Sequence, residues 1–239
     1  MVVLIYFVVQ RGNIVAMFAK RKYAKADYPG SLKIFKIADK VGNMSVSNKL
    51  LYGYNCLRCG NVTDARTNLN LARMLAKRGS AERFKIKSLL ALVEWKDGNL
   101  NEAIEMYEEI LADDYKNTNV YQNLGILYNL SDQKEKALAF NLEASEYNDD
   151  DSIIMDNLAD AYFINGDYEK SCESYEKLHA LDPPPKFPEA FYGYGRVLIK
   201  LGDTTKGLEL IKESLDKKYS FLSIRQRDEI EKMYEELQQ

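Results

Sequence analysis

The sequence predicts an all-α chain of about six helix–turn–helix repeats followed by a C-terminal helix. Small residues stand in pairs twelve positions apart: Ala19 with Ser31, Gly53 with Ala65, Ala91 with Ala103, Gly125 with Ala137, Ala159 with Ser171 and Gly195 with Gly207. The pairs recur at a period near 34 residues, and a fixed period of that length marks a solenoid of stacked units. Between them apolar residues recur at i, i+3, i+4 and i+7, the spacing of an amphipathic helix. Only a small side chain lets two helix backbones come close, so each pair is read as a crossing point.

The repeats begin near Gly12, Val46, Phe84, Thr118, Ser152 and Pro188, with offsets of 34, 38, 34, 34 and 36. Position 7 is large and apolar throughout: Phe18, Tyr52, Leu90, Leu124, Leu158 and Tyr194. Position 24 reads Phe35, Leu69, Tyr107, Asn141, Tyr175 and Ile211, and the polar Asn141 leaves Phe140 to fill the apolar role. Position 15 is the turn, with Gly60, Gly98, Gly166 and Gly202 but Asp132 in the fourth repeat. Glycine suits that place because it takes positive φ without a Cβ penalty.

The fourth and fifth repeats are the most regular. Tyr121-x-x-Leu124-Gly125-x-x-Tyr128 is followed by Ala137 and Ala144. Leu158-Ala159-x-x-Tyr162 is followed by Gly166-Asp167-Tyr168, Tyr175 and Leu181-Asp182-Pro183, with the proline placed to end the second helix. These motifs resemble the tetratricopeptide-repeat family over residues 12–221. The resemblance implies a right-handed superhelical α-solenoid whose concave groove is lined by the first helix of each repeat. Lys22 and Glu94 depart from the family pattern, standing where an aromatic is usual.

The repeats fill most of the chain, so one run of stacked units is expected rather than two globules. Residues 222–239 are read as a capping helix. Ser223 and Gln226 form a capping-box pattern there, and Ile224, Ile230, Met233, Tyr234 and Leu237 supply an apolar stripe. At the other end, residues 1–11 form an apolar N-terminal segment, with an unbroken apolar run over 1–9. Nine residues do not span a hydrocarbon core, which needs about 20 in a helix. Two readings stay open: residues 1–19 form one helix packed on the first repeat, or the run is the end of a membrane anchor. In the second reading the basic Arg11, Lys20, Arg21, Lys22 and Lys25 place the repeats at the cytoplasmic face of the plasma membrane.

Composition narrows the function. A net charge of −3 argues against nucleic-acid binding, which needs a clustered basic surface. Three cysteines that form no framework of close pairs fit a reducing compartment and a cytoplasmic location. Cys56 and Cys59 have CxxC spacing, but zinc takes four ligands and the only histidine, His179, is far away in sequence. No metal or other cofactor is expected. Neither His179 nor a glycine-rich phosphate loop suggests catalysis, and no catalytic residue is assigned.

By the family resemblance, the groove is lined by Trp95, Asn119, Gln122, Ile126, Asn129, Asp156, Asp160, Phe163, Tyr192 and Arg196. Gln122 and Asn129 are expected to bond a partner's backbone, and Trp95, Phe163 and Tyr192 to anchor it. Asp156 and Asp160 lie one helical turn apart, so they favour a basic or mixed-charge protein or peptide segment. A tetratricopeptide carboxylate clamp for acidic C-terminal tails is not supplied by any three consecutive repeats. The function expected is a non-catalytic protein–protein interaction scaffold; the alternative is a peptide-sensing regulator without its own DNA-binding domain.

Overall fold

The computed structural model describes the backbone of residues 2–238 and the side chains of residues 10–238. Side-chain contacts of the apolar run at residues 1–9 therefore lie outside the described residues. Thirteen α-helices and no strand are found among the described residues. They gather into two compact units, Met1–Met106 and Tyr107–Gln239.

In the first unit α1 (Val2–Ala24) pairs with α2 (Tyr28–Val41) and α3 (Val46–Arg58) with α4 (Val62–Leu75). Helix α5 (Ala81–Lys96) packs on both α3 and α4, and begins earlier than the Phe84 start read from the sequence. Helix α6 (Leu100–Ala112) starts in the first unit and ends in the second. In the second unit α7 (Thr118–Asn129) pairs with α8 (Lys134–Tyr147), α9 (Ser152–Ile164) with α10 (Tyr168–His179), and α11 (Pro188–Lys200) with α12 (Thr204–Leu215). The first helices stand next to one another, α7 on α9 and α9 on α11, and α13 (Arg227–Leu237) packs on α12.

Small-residue pairs stand at the crossings of α1 with α2, α9 with α10 and α11 with α12. Ser31 Oγ donates to the Ala19 carbonyl at 2.9 Å, and Ser171 Oγ to the Ala159 carbonyl at 2.7 Å. At the α11–α12 crossing a Cβ on Gly195 would stand 2.6 Å from the Gly207 carbonyl oxygen. A Cβ on Gly207 would stand 2.7 Å from the Gly195 carbonyl oxygen, so neither position has room for a side chain.

Between α11 and α12 the chain turns through a left-handed residue and is caught at once by a cap. Gly202 has φ of +97°, and Asp203 beside it accepts the Lys206 backbone N–H at 3.1 Å. The same arrangement in the first pair uses Ala26, at φ of +58°, before Asp27, which accepts the Gly30 N–H at 2.9 Å.

Two expectations are corrected. The C-terminal helix is opened by Gln226, whose N–H donates to Glu229 Oε2 at 2.9 Å, rather than by Ser223, which accepts from the Ser220 N–H at 3.2 Å. Asn141 does not yield its core place to Phe140. It is wholly buried and donates to Asn129 Oδ1 at 2.9 Å and to the Ala137 carbonyl at 3.0 Å, while Phe140 stacks on Tyr121 with centroids 5.7 Å apart.

Ala26, like Asp114 between α6 and α7, holds a left-handed conformation with a Cβ, a cost of about 1 kcal/mol for a non-glycine residue. Ala26→Gly is expected to raise stability by ~0.5 kcal/mol, because glycine's greater unfolded-state entropy offsets part of that relief. Urea denaturation compared with the wild type checks this; a loss of stability refutes it.

Candidate partner-binding cleft

A cleft of about 80 Å³ opens on the face made by α7, α9 and α11 in the second unit. Ile126 and Asn129 come from α7, Asp156 and Asp160 from α9, and Glu189, Tyr192 and Arg196 from α11. The C-terminal segment closes one end with Ile224, Arg225 and Ile230. Two contacts fix that segment: the Ile224 N–H donates to Glu189 Oε1 at 2.9 Å, and the Tyr192 hydroxyl to Met233 Sδ at 3.3 Å.

Arg196 organises the middle of the cleft. Its Nη2 pairs with Asp160 Oδ1, and its guanidinium lies 4.3 Å from the Phe163 ring centroid and 5.0 Å from that of Tyr192. Burial, the largest single effect, would lower its pKa, but the Asp160 charge and hydrogen bond together with the Tyr175 and Tyr192 hydroxyls offset it, and the net shift is upward. Asp156 is buried behind it. Burial, then the neighbouring Asp160 and Glu189 charges, push its carboxyl well above the ordinary range, against the smaller opposing effects of Arg196 and a hydrogen bond with Tyr175. Tyr175 reaches this place from α10 because Gly193 leaves room: a side chain there would collide with the phenol oxygen. Among the described residues, Asp156 Oδ1 and Arg196 Nε have no hydrogen-bond partner although both atoms are buried.

Of the ten residues read from the sequence, Ile126, Asn129, Asp156, Asp160, Tyr192 and Arg196 meet in this cleft. Phe163 lies under Arg196. Asn119 is exposed on α7, its carbonyl accepting from Asn123 Nδ2 at 2.8 Å. Trp95 belongs to the first unit, half-buried, with Lys96 Nζ 3.8 Å from its ring.

The roles differ from those expected for two pairs of polar groups. Gln122 Nε2 donates to both Asp151 carboxylate oxygens at 2.8 and 2.9 Å, so its amide supports the start of α9. Asn129 Nδ2 donates to the Asn157 carbonyl at 2.8 Å and its Oδ1 accepts from Asn141, which leaves it structural. Asp156 and Asp160 do not present two free carboxylates side by side, since one is buried and the other is neutralised by Arg196. Sequence reasoning missed Tyr175, Glu189, Ile224 and Arg225; the glycine at Gly193 was the visible trace of the first.

Other chemistry-bearing residues are engaged in the fold. Cys56 is buried on α3, its thiol pushed up to about 12 mainly by desolvation. His179 Nε2 contacts the Ala190 carbonyl at 3.2 Å, its ring stands edge-on to Phe191 at 4.8 Å, and burial lowers its pKa. Among the described residues no group of three or more His, Cys, Asp and Glu side chains is placed to hold a metal ion.

Residues 153–185 match the tetratricopeptide-repeat family model, and that stretch holds α9 and α10. A tetratricopeptide repeat protein from Parabacteroides merdae superposes with a TM-score of 0.76 at 12% identity, over 96% of this chain and 85% of that one. The chain has the tetratricopeptide-repeat fold. A thermophilic tetratricopeptide repeat protein from Thermus thermophilus aligns over 81% of this chain and 99% of its own, with 18% identity and a TM-score of 0.64. PilW, a widely conserved type IV pilus biogenesis factor, aligns over 85% of this chain and 92% of its own, with 15% identity and a TM-score of 0.68. No curated protein sequence matches the chain.

The raised pKa of Asp156 sets the sign of a pH effect. Its folded-state pKa lies above the unfolded value near 3.9, so the ionised form costs stability, and that cost grows as pH rises from the unfolded to the folded pKa. Asp156→Asn removes the cost. At pH 8 it is expected to raise the melting midpoint, at about 2–4 °C for each kcal/mol relieved, and below pH 3.5 to change it little. Thermal melts across that range check this; a gain that is larger in acid contradicts it.

Proposed function

We propose that this protein is a non-catalytic adaptor that holds a partner protein's segment against the first-helix face of its second unit. The observation that carries the reading is the cleft itself: side chains from α7, α9, α11 and the C-terminal segment converge there, with Ile126 partly exposed at its rim. Its charges are balanced, Asp160 and Glu189 against Arg196 and Arg225, which favours a segment of mixed charge over a strongly basic one. A photo-crosslinking amino acid at Ile126 is expected to trap a partner in cells, while the same group at the exposed Glu135 of α8 does not. Equal yields at the two sites would sink the assignment.

The reading extends to association of α1 with the cytoplasmic face of a membrane. Among the described residues no helix is long and apolar enough to cross a bilayer. Met17 and Phe18 are nonetheless 55% and 52% exposed, Arg21 lies 5.6 Å over the Phe18 ring, and Lys20, Lys22 and Lys25 are near in sequence. Apolar side chains beside cations suit a helix lying in the interface of an anionic bilayer. Sedimentation with phosphatidylserine vesicles is expected, weakened several-fold by Phe18→Glu. Wild-type protein that stays in the supernatant removes the tether.

A further inference from the structure

Asp156 and Arg196 both line the cleft of the second unit, and each keeps one buried atom that the fold leaves unpaired, Oδ1 and Nε. Other polar groups around them have partners. Asp160 is paired with Arg196 Nη2, Glu189 Oε1 accepts from the Ile224 N–H, and the Asn129 amide is engaged at both ends. Arg225 lies 5.2 Å over the Tyr192 ring at the mouth. A buried polar atom without a partner costs about 1–3 kcal/mol, so two such atoms on neighbouring residues that line one small cavity point to a polar group from outside. The Arg196 Nε–H is a donor only, while Asp156 accepts when ionised and donates when protonated.

We propose that this cleft is a subsite for a carboxamide, the side-chain end of an asparagine or glutamine in the partner segment. The amide oxygen accepts from Arg196 Nε–H. The amide N–H donates to Asp156 Oδ1 when that carboxyl is ionised; when it is protonated, its hydroxyl donates to the second lone pair of the same oxygen. A carboxylate would fit one protonation state only and would face Asp160 and Glu189, and an ammonium would face Arg196 and Arg225. The cavity volume of about 80 Å³ suits the end of one small polar side chain rather than a helix or a ring system. This assignment deepens the recognition reading above and rests on it.

The test uses the full chain and three probes: the acetyl N-methylamides of glutamine, glutamate and lysine, titrated into labelled protein and followed by NMR. The reporter is the Arg196 Nε–H resonance, assigned by its loss in Arg196→Lys, a variant that keeps the cation beside Asp160. The glutamine probe is expected to shift that resonance saturably and to bind about 10-fold more tightly than the other two, the scale of one lost hydrogen bond to a buried partner. Binding should fall by a similar factor in Arg196→Lys and in Asp156→Ala, each checked for an unchanged amide spectrum elsewhere. Preference for the glutamate or the lysine probe overturns the proposal. So do equal shifts from all three, the pattern of main-chain recognition, or no shift from any. Site-specific crosslinking at Ile126 that survives such a failure would leave the partner face intact and remove only the carboxamide.

Discussion

The close approach of paired helices is the constraint from which the rest of the structure follows. At Gly195 and Gly207 the facing carbonyl oxygens lie 2.6 and 2.7 Å from where Cβ atoms would be, so the spacing of α11 and α12 is set by backbone contact. At Ala19–Ser31 and Ala159–Ser171 a serine hydroxyl bridges to the opposing carbonyl and satisfies its own buried oxygen at the same time. Such crossings fix the angle of each pair. They thereby fix which residues of the first helix turn inward and which remain on its free face.

Adjacent first helices are then joined by side-chain amides. Asn129 on α7 donates to the Asn157 carbonyl on α9 at 2.8 Å, and Asn157 Nδ2 returns a bond to the Gln122 carbonyl at 2.8 Å. Reciprocal bonds of this kind set register as well as distance, because an amide reaches a helix carbonyl only where the local geometry has opened it. Asn141 completes the cluster, and its side-chain oxygen sits where a Cβ on Gly125 would be, which ties the small residue at that crossing to a polar core. The face that bears the cleft is thus held by hydrogen bonds as well as by apolar burial.

The helix pairs were legible in the sequence because they depend on residue size and period, both one-dimensional properties. The turn at Ala26 shows the limit: its left-handed φ was hidden by a residue that rarely adopts it. The cleft was legible in part. Position along the first helix placed Asp160, Tyr192 and Arg196 on one face, but whether a polar group is free or engaged depends on partners distant in sequence. Gln122 is taken by Asp151, and Asp156 is buried by Tyr175 arriving through the gap at Gly193. The contribution of Arg225 required knowing where the last helix folds back, and its apolar stripe gave no such direction.

Two buried carboxylates, one in each unit, are treated in opposite ways, and the contrast bears on function. In the first, Glu94 stands where an aromatic is usual and is only 7% exposed. Both its oxygens are used: Arg66 grips them with two nitrogens, Asn99 Nδ2 donates to Oε2 at 3.0 Å, and Arg66 reaches Asp97 at 2.7 Å as well. The Arg66 hydrogen bonds hold the Glu94 carboxyl below its ordinary range, so this charge stabilises the fold at neutral pH and ceases to do so as pH falls through its lowered pKa. Asp156 is equally enclosed, yet one of its oxygens is unpaired and its ionised form is disfavoured. A fold able to satisfy Glu94 so fully shows that buried carboxylates need not be left wanting in this scaffold. Among the described residues Asn48, Arg58, Asn68, Ser80 and Asn141 also keep a buried polar atom without a partner, but Asp156 and Arg196 are the two of this set that line the cleft. Departures of that kind collect at functional sites, where stability is traded for the ability to bind.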